Sequence, residues 1–519
     1  MKKYFFVVLL VIAFLENSSF ADNHAVYKGG LIERNTLLLN EFFSVVGAEP
    51  ESTVFTFRMT EDKRVRRCAT PVISEIRKNI NSFSDENRKM IMEYLFEKQP
   101  EPLKRSYRKS YKISRSNTFK EAPNYYATSN FVIRWGDEAY NSATGKGVNP
   151  ADDDNDDIPD LVEKWGEYLE ESWNKEVNEM ELKKPKSSGQ YKIDIYIANT
   201  SDSKRLSLGK GNYAYTTIYS DDTPYILVNN LMPNTINDDS EGDEIGAMKV
   251  TAAHEFNHTI QYAYNMATAV WWQEATATWM EDEVFDYVND YYQYLAEDGW
   301  GEFPGKSLTK KGMLREYGDV IWVKYLSEYY GGSGIFKDIW ELCKKYSALD
   351  ANKIFFKNND TNLSKAFKDF SARNVTMSKS YKEGEHYGPV SDMMVHETYS
   401  VSESIDPISS TFFPNPPSYL GANYIKFSGG SGETLNIGFA GKKRYNFVNV
   451  KWGAVVVKID SLGAPEVEEI ILDSNQQGSV QISGFGTTYT EVYLVTTVLS
   501  KGPKNFRYGV PYSYTAELQ

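Results

Sequence analysis

The sequence predicts an α+β protein in three parts that follow a short leader. Helical periodicity dominates the first part, whereas from Tyr126 onward short alternating runs are interleaved with long helical ones. From about Val395 the chain turns to alternating runs punctuated by Gly, Pro and Asn, which is typical of an antiparallel β-sandwich. We therefore expect a leader, an N-terminal helical segment, a central α+β domain and a β-sandwich at residues 1–21, 22–122, 123–394 and 395–519.

The leader has the composition of a secretory signal peptide. It begins with Lys2 and Lys3, continues with an apolar run from Tyr4 to Leu15, and ends in Ser19-Phe20-Ala21, a small-x-small cleavage site. The apolar run is too short to span a membrane. We expect an exported protein without a membrane span.

Composition narrows the classes of partner. The net charge of −14 argues against a nucleic-acid or anionic-membrane partner and favours a solvated surface that tolerates bound cations. Only two cysteines in an exported chain exclude a disulfide framework. We therefore expect stability to come from packing, with metal binding as a further source where a metal is bound.

The N-terminal segment has helical periodicity at Leu37–Phe43, Val72–Phe83 and Asn87–Phe96. A stretch rich in Lys, Arg and Ser, Arg105–Arg115, then predicts an exposed linker. Two interpretations fit this order. The segment is either a pro-segment that is cut within the linker, or a docking domain that stays attached.

The central part opens with predicted strands. Phe131–Trp135 is a short β run, and Tyr191–Ile197 alternates as a half-buried strand does. Tyr225–Val228 is a candidate edge strand above the motif helix described below, where a substrate backbone could add by β-pairing.

An acidic run between the first two strands has the spacing of an EF-hand-type calcium loop. Asp157 occupies the position where a Gly normally permits the sharp turn, which predicts backbone strain. The alternative is a solvated acidic start of the next helix. The candidate calcium ligands are Asp152, Asp154, Asp156, the Ile158 carbonyl, Asp160 and Glu163.

The chemistry of the chain centres on an H-E-x-x-H motif in a helix-compatible run. His254 and His258 lie four residues apart, so on a helix their imidazoles project from one face at the spacing that a single Zn²⁺ requires. Glu255 would lie beside the metal and could accept a proton from a water held there. A second helical run supplies Glu274 as the third ligand, and Glu281 on the same face is its competitor or a partner that orients a ligand histidine.

These residues carry a family resemblance. His254-Glu255-x-x-His258 followed by Glu274-Ala-x-Ala-x-Trp279-x-Glu281 resembles the gluzincin superfamily of zinc metallopeptidases, and residues 131–340 look like a family of secreted bacterial metallopeptidases with an acidic calcium-like loop upstream. The resemblance implies a gluzincin-like fold, with His254, His258 and Glu274 as zinc ligands and Glu255 as general base. The spacing from His258 to Glu274 is shorter than in the thermolysin and aminopeptidase branches, so no aminopeptidase specificity carries over.

The N-terminal segment contains Arg66-Arg67-Cys68-Ala-Thr-Pro71, which resembles the cysteine latch of matrix metallopeptidase zymogens. In that latch a thiolate fills the open zinc position, which is chemically sensible because zinc favours thiolate. The alternatives are a Cys68–Cys343 disulfide or two plain buried thiols.

Beyond the motif, Val284–Glu297 predicts the continuation of a long aromatic-rich helix, and a second helix starting at Tyr317 is expected to end at Gly331. Tyr317 is a candidate donor to the oxyanion that forms during peptide hydrolysis. His386 and His396 are rivals for that role.

The sequence as a whole predicts a secreted zinc metallopeptidase acting on peptides or proteins, with Ca²⁺ as a structural ion. One rival is a calcium-dependent surface or adhesion protein with a structural zinc site, which a fourth protein ligand would favour. Another rival is a zinc hydrolase of non-peptide substrates.

Overall fold

A computed structural model describes residues 31–48, 66–106, 114–116, 118–232, 236–296, 299–312, 314–406 and 415–519. The predicted leader, 1–21, and residues 107–113 of the predicted linker lie outside the described residues. The chain divides into two compact units. The first comprises Met1–Thr268 and Ala277–Asp290, and the second comprises Ala269–Thr276 and Tyr291–Gln519.

Helices of the first unit occur both before and after its sheet strands. They include α1 (Leu31–Val45), α2 (Thr70–Lys78), α3 (Asp85–Met92), α4 (Asp160–Trp173) and α5 (Asp243–Asn265), and α6 (Val270–Val284) contributes to both units. A single π-helical stretch, Asn174–Glu179, follows α4 directly. The three N-terminal helices agree with the periodicity predicted for that segment.

Seven strands of the first unit form one mixed sheet with the order β1-β6-β7-β5-β4-β3-β2. Parallel pairs join β1 to β6, β4 to β5 and β5 to β7, and the remaining pairs are antiparallel. The strands are β1 (Arg66–Cys68), β2 (Ser114–Arg115), β3 (Asn124–Ala127), β4 (Phe131–Trp135), β5 (Ile193–Ile197), β6 (Asn212–Ile218) and β7 (Pro224–Val228).

For one strand the predicted position in the sheet was wrong, and for another the predicted burial was wrong. The strand expected at the edge, β7, lies in the sheet interior between β6 and β5. Strand β1 instead forms the edge on that side, paired in register from Arg66 with Asn212 to Cys68 with Ala214. The strand expected to be half-buried, β5, is buried at every position, because elements cover both faces of the sheet.

The two faces of β6 show what covers them. Thr216 faces α5, since its hydroxyl lies 2.6 Å from Glu255 Oε2, whereas its neighbour Tyr215 belongs to a hydrophobic core shared with α1, α2 and α3. Helix α5 packs on β6 and β7, and α4 packs on α5. The N-terminal helices therefore form one layer of the first unit, and the motif helix belongs to the other.

The second unit begins with helices. They are α7 (Tyr292–Ala296), α8 (Arg315–Gly318), α9 (Val320–Tyr330), α10 (Ile335–Cys343), α11 (Ala348–Asn358), α12 (Leu363–Arg373) and α13 (Met377–Ser380). The long helix expected over Val284–Glu297 is wrong: α6 ends at Val284, and Asn289 has a left-handed φ of +56°. The helix expected from Tyr317 is divided at Asp319. Helix α9 ends at Tyr330 and is capped by Gly331, with φ +128°, as the Gly pair predicted.

The C-terminal region is built from strands that are mostly antiparallel. Five run in the order β15-β14-β17-β10-β8, four in the order β16-β11-β18-β9, and one parallel pair between Phe485 and Tyr489 joins β16 to β17. The strands are β8 (Met393–His396), β9 (Val401–Ile405), β10 (Ala422–Phe427), β11 (Glu433–Gly441), β12 (Arg444–Tyr445), β13 (Val448–Asn449), β14 (Trp452–Asp460), β15 (Pro465–Glu469), β16 (Gln477–Phe485), β17 (Tyr489–Val498) and β18 (Tyr512–Leu518). A mixed α+β chain with a multi-stranded C-terminal region is confirmed.

A helix that crosses a bilayer must be both long and apolar. Within the described ranges, no helix of this chain meets that requirement.

Candidate metal centre

Helix α5 carries both motif histidines into the interior of the first unit. His254 and His258 are one turn apart, and their ring centroids lie 4.8 Å from each other in an edge-to-face arrangement. Both side chains are buried, because α5 is packed between the sheet and α4. One turn of helix thus presents two imidazoles from the same face.

The two histidines form a buried cluster with Cys68 and Glu274. One ligand atom of each residue lies within 4.8 Å of the ligand atoms of the other three, and Cys68 Sγ lies 3.4 Å from His258 Nε2. Two imidazole nitrogens, a carboxylate oxygen and a sulfur suit a tetrahedral Zn²⁺. The cluster could therefore hold a metal ion, and it contains the three residues that the sequence selected.

A carboxylate orients His254. Glu281 Oε1 lies 2.7 Å from His254 Nδ1, and both side chains are buried. A carboxylate only accepts, so Nδ1 carries the proton and Nε2 is left to bind a metal. Of the two roles considered for Glu281, the structure favours that of an orienting partner, and Glu274 is the carboxylate of the cluster.

A chain of amides orients His258. Its Nδ1 lies 2.9 Å from Gln261 Oε1, Gln261 Nε2 donates to Asn257 Oδ1 over 2.5 Å, and Asn257 Nδ2 donates to Glu176 Oε2 over 2.7 Å. Complete burial raises the pKa of Glu176 well above its ordinary value, opposed by the bond from Asn257 and the charge of His254. Because the chain ends on a carboxyl oxygen that accepts, the proton of His258 is directed to Nδ1, and Nε2 is again left to bind a metal.

Two threonines hold the acidic residue of the motif. Glu255 Oε2 accepts from Thr70 Oγ1 over 3.0 Å and lies 2.6 Å from Thr216 Oγ1. The Glu255 side chain is buried, and its Oε1 has no hydrogen-bond partner in the described part of the chain. A buried carboxylate with one fixed and one unused oxygen suits a group that accepts a proton from a bound molecule.

The cysteines do not pair. Neither Cys68 nor Cys343 is in a disulfide, so the Cys68–Cys343 pairing considered from the sequence is wrong. Burial raises the pKa of the Cys343 thiol to about 12, which suits an inert structural thiol. Cys68, at the end of β1, contributes its sulfur to the histidine cluster instead.

The acidic loop brings three of its predicted ligands together. The carboxylates of Asp152, Asp154 and Asp156 lie within 4.8 Å of one another, and desolvation together with the charge of Asp156 raises the pKa of Asp154. Asp157 has a left-handed φ of +69°, as expected for a residue in the position of the usual Gly.

Backbone amides shape this loop from within. Asp152 accepts from the amides of Asp156 and Asp157 over 3.2 and 2.9 Å, and Asp160 Oδ1 accepts from the Asp153 amide over 3.1 Å. Asp160 opens α4 and Glu163 lies in its first turn. Ile158 is buried, and neither Asp160 nor Glu163 belongs to the group of three carboxylates described above.

The candidate oxyanion donors lie in the second unit. Tyr317 is buried in α8 and stacks on Tyr294 at 5.1 Å between centroids. His386 is half exposed in a 3₁₀ turn, and His396 Nε2 lies 2.7 Å from the Tyr514 hydroxyl. Among the described residues neither histidine belongs to a group that could hold a metal.

Glu316, beside Tyr317, was not selected from the sequence. Burial raises the pKa of its carboxyl to about 7, and the charge of Glu274 adds to the shift. The Gly312 amide donates to Glu316 Oε2 over 2.7 Å. The Glu316 carboxyl is therefore electrostatically coupled to Glu274, one of the four residues of the histidine cluster.

Sequence reasoning also missed Thr70, Thr216 and Glu176. Thr70 and Thr216 contact Glu255 from positions 185 and 39 residues away, and Glu176 contacts Asn257 from 81 residues away. No local pattern marks such partners. A partial signal existed only for Gln261, which lies three residues after His258 on the same helix face.

Comparison with protein families gives one match. A model described as a family of unknown function (DUF6055) matches residues 99–505. The range includes α5 and α6, whereas Cys68 precedes it. No curated protein matches the chain.

Comparison with solved structures gives weak similarities. The pre-peptidase C-terminal domain of a collagenase from Bacillus anthracis is 10% identical, with 25% of this chain and 93% of that chain covered and a TM-score of 0.15. The enzymatically active domain of tailspike protein 4 of bacteriophage CBA120 is 13% identical, with 25% and 18% covered and a TM-score of 0.15. A family GH115 4-O-methyl-α-glucuronidase is 10% identical, with 51% and 42% covered and a TM-score of 0.15. These similarities are too weak to assign a fold or an activity.

Proposed function

We propose that this chain, which belongs to the DUF6055 family of unknown function, is an exported zinc metallopeptidase of gluzincin type that hydrolyses peptide bonds. The observation that carries the proposal is Glu255, a buried carboxylate that follows a cluster histidine directly and has one oxygen without a partner among the described residues. A site that only held a metal would not need it. The export is inferred from the sequence of the leader alone.

The donor set supports zinc as the metal. His254, His258 and Glu274 would hold it, in the His₂Glu combination typical of catalytic zinc. When bound, Zn²⁺ polarises a peptide carbonyl and makes water a better nucleophile. Glu281 and Gln261 fix the proton of each imidazole on Nδ1, so that both Nε2 atoms face one point.

Glu255 would move the proton. Its Oε2 is restrained by Thr70 and Thr216, which leaves Oε1 to accept a proton from water and to pass it to the leaving amine. Tyr317 remains a hypothesis for stabilising the oxyanion. The acidic loop would bind Ca²⁺ through Asp152, Asp154 and Asp156 and clamp itself to the start of α4.

A second candidate is a structural zinc site in a calcium-dependent surface protein. Cys68 favours it, because a fourth protein donor closes the coordination sphere as structural sites do. That arrangement gives Glu255 no task. A zinc hydrolase of non-peptide substrates would use the same residues and differs only in what it cleaves.

The test compares Glu255→Gln with the unchanged chain, each also in a Cys68→Ser background. Metal content and casein hydrolysis are measured in all four proteins. We expect equal zinc, and a loss of about 100-fold or more in hydrolysis when Glu255 is replaced, the usual effect of removing a general base.

Glu244→Gln is the matched control, since Glu244 lies in the first turn of the same helix and should leave hydrolysis unchanged. A folded, zinc-loaded Cys68→Ser chain that cleaves no peptide, either intact or after cleavage within the predicted linker 105–115, would refute the peptidase proposal. Equal hydrolysis with and without Glu255 would remove its role as base.

A further inference from the structure

We infer that residues 66–70 are a built-in inhibitor in which Cys68 fills the metal's fourth position and β1 covers the neighbouring edge of the sheet. The inference rests on the proposed function and concerns the regulation of the same site. Within this stretch Cys68 belongs to the metal-binding cluster, and Thr70, two residues later, contacts Glu255.

The first contact is that of Cys68. Its sulfur lies 3.4 Å from His258 Nε2 and within 4.8 Å of ligand atoms of His254 and Glu274. Catalytic zinc sites keep one position for water and substrate. A thiol that releases its proton to solvent and binds as thiolate would fill that position.

The second contact is that of Thr70. Its hydroxyl donates to Glu255 Oε2 over 3.0 Å and accepts from the Thr216 amide over 2.7 Å. The Thr70 side chain is buried. Thr70 thus holds the N-terminal stretch beside the metal ligands through Glu255 Oε2, while Glu255 Oε1 has no partner among the described residues.

The stretch is held as a sheet edge. Strand β1 pairs in parallel with β6, and the Ala69 amide extends the pairing with a bond of 2.9 Å to the Ala214 carbonyl. Because β6 is paired with β7 on its other side, β1 covers the edge to which an extended peptide backbone could add.

Residues 66–70 are a small part of the N-terminal segment, and most of that segment is held to the sheet by other contacts. Helices α1, α2 and α3 share a hydrophobic core with Tyr196, Tyr215 and Tyr225 of the sheet, and the Phe96 amide donates to the Tyr225 hydroxyl over 3.1 Å. Displacing Cys68 alone should therefore open the metal without dismantling this layer.

The experiment uses full-length protein loaded with Co²⁺ in place of zinc. Absorption spectra are recorded for the wild type, Cys68→Ser and Cys343→Ser, before and after addition of acetohydroxamate, a small chelating ligand that needs an accessible metal position. Cys343→Ser is the matched control, because Cys343 is the second buried thiol of the chain.

We expect the wild type and Cys343→Ser to show a thiolate-to-cobalt charge-transfer band and no response to acetohydroxamate. Cys68→Ser should lose the band, keep one metal per chain and change its visible spectrum when acetohydroxamate is added. Absence of the band from the wild type would overturn the inference, as would a wild-type response to acetohydroxamate equal to that of the variant.

Loss of the metal from a folded Cys68→Ser chain would also overturn it, because Cys68 would then be a structural ligand. These outcomes do not depend on hydrolysis. Peptide cleavage by the opened variant tests the proposed function separately.

Discussion

The two candidate metal sites of this chain are built in opposite ways. The histidine cluster takes its donors from positions 68, 254, 258 and 274, and all four are buried. The acidic loop takes three carboxylates from five consecutive residues, and they are partly or fully exposed. The first site exists only when distant elements are folded together, whereas the second is fixed by local hydrogen bonds of the loop to its own amides.

The difference predicts different roles for the two ions. A metal held by donors from four places in the chain binds the folded state and not the unfolded chain. The free energy of metal binding therefore adds to the free energy of unfolding. An ion bound to the exposed loop would exchange with solvent and would stabilise mainly the start of α4.

Replacement of His258 by alanine should abolish the buried site. The substitution removes a metal donor and the group to which the hydrogen-bonded chain Gln261–Asn257–Glu176 is attached. Loss of a residue that only orients a metal ligand weakens binding by about 10- to 100-fold, so loss of the ligand itself should lower the zinc affinity by more than about 100-fold. Competition with a chromophoric chelator measures the affinity. Calcium affinity should stay the same.

His386→Ala is the control for this substitution, because His386 is half exposed and lies outside the cluster. Equal zinc affinity in His258→Ala and the wild type would show that the cluster does not bind the metal. A parallel fall in calcium affinity would show that the two sites are coupled.

Glu281→Gln should weaken zinc binding by about 10- to 100-fold. The amide keeps the shape of the side chain but removes the charge that fixes the Nδ1 proton of His254, at 2.7 Å. Glu283→Gln, two residues later on α6, is the control. If both variants bind zinc equally well, the orientation of His254 does not depend on this carboxylate.

The same contrast explains which of these features could be predicted from the sequence. Motif spacing on one helix was enough to select His254 and His258, and contiguous carboxylates were enough to select the acidic loop. Helical periodicity also predicted the N-terminal helices, because each depends on a local pattern of apolar residues.

Features set by long-range pairing were missed. The sheet order could not be deduced from strand patterns, so β7 was expected at the edge that β1 occupies. A three-residue strand has no periodicity to detect, although it brings Cys68 to the cluster. Thr70 and Thr216 are ordinary residues in sequence and gain their role only from the pairing of β1 with β6.

The smallest predicted effect concerns the backbone of the acidic loop. Asp157 has a φ of +69°, where a Cβ is unfavourable by about 1–2 kcal/mol, partly offset by the entropy that a Gly loses. Asp157→Gly and Asp157→Ala both remove the charge and differ only in that Cβ. Because a preformed turn is the same with and without calcium, the Cβ strain does not change the calcium affinity. Chemical unfolding should instead show the Gly variant more stable than the Ala variant by roughly 1 kcal/mol.

The same pair of substitutions at Asp153 provides the control. Asp153 is an exposed loop neighbour without a positive φ, so Gly there should be no more stable than Ala, because only the entropy cost remains. Equal stability of the Gly and Ala variants at position 157 in the absence of calcium would mean that the calcium-free loop does not hold this left-handed turn. The loop would then have to rearrange to bind its ion, and the contrast between a preformed local site and a fold-dependent one would disappear.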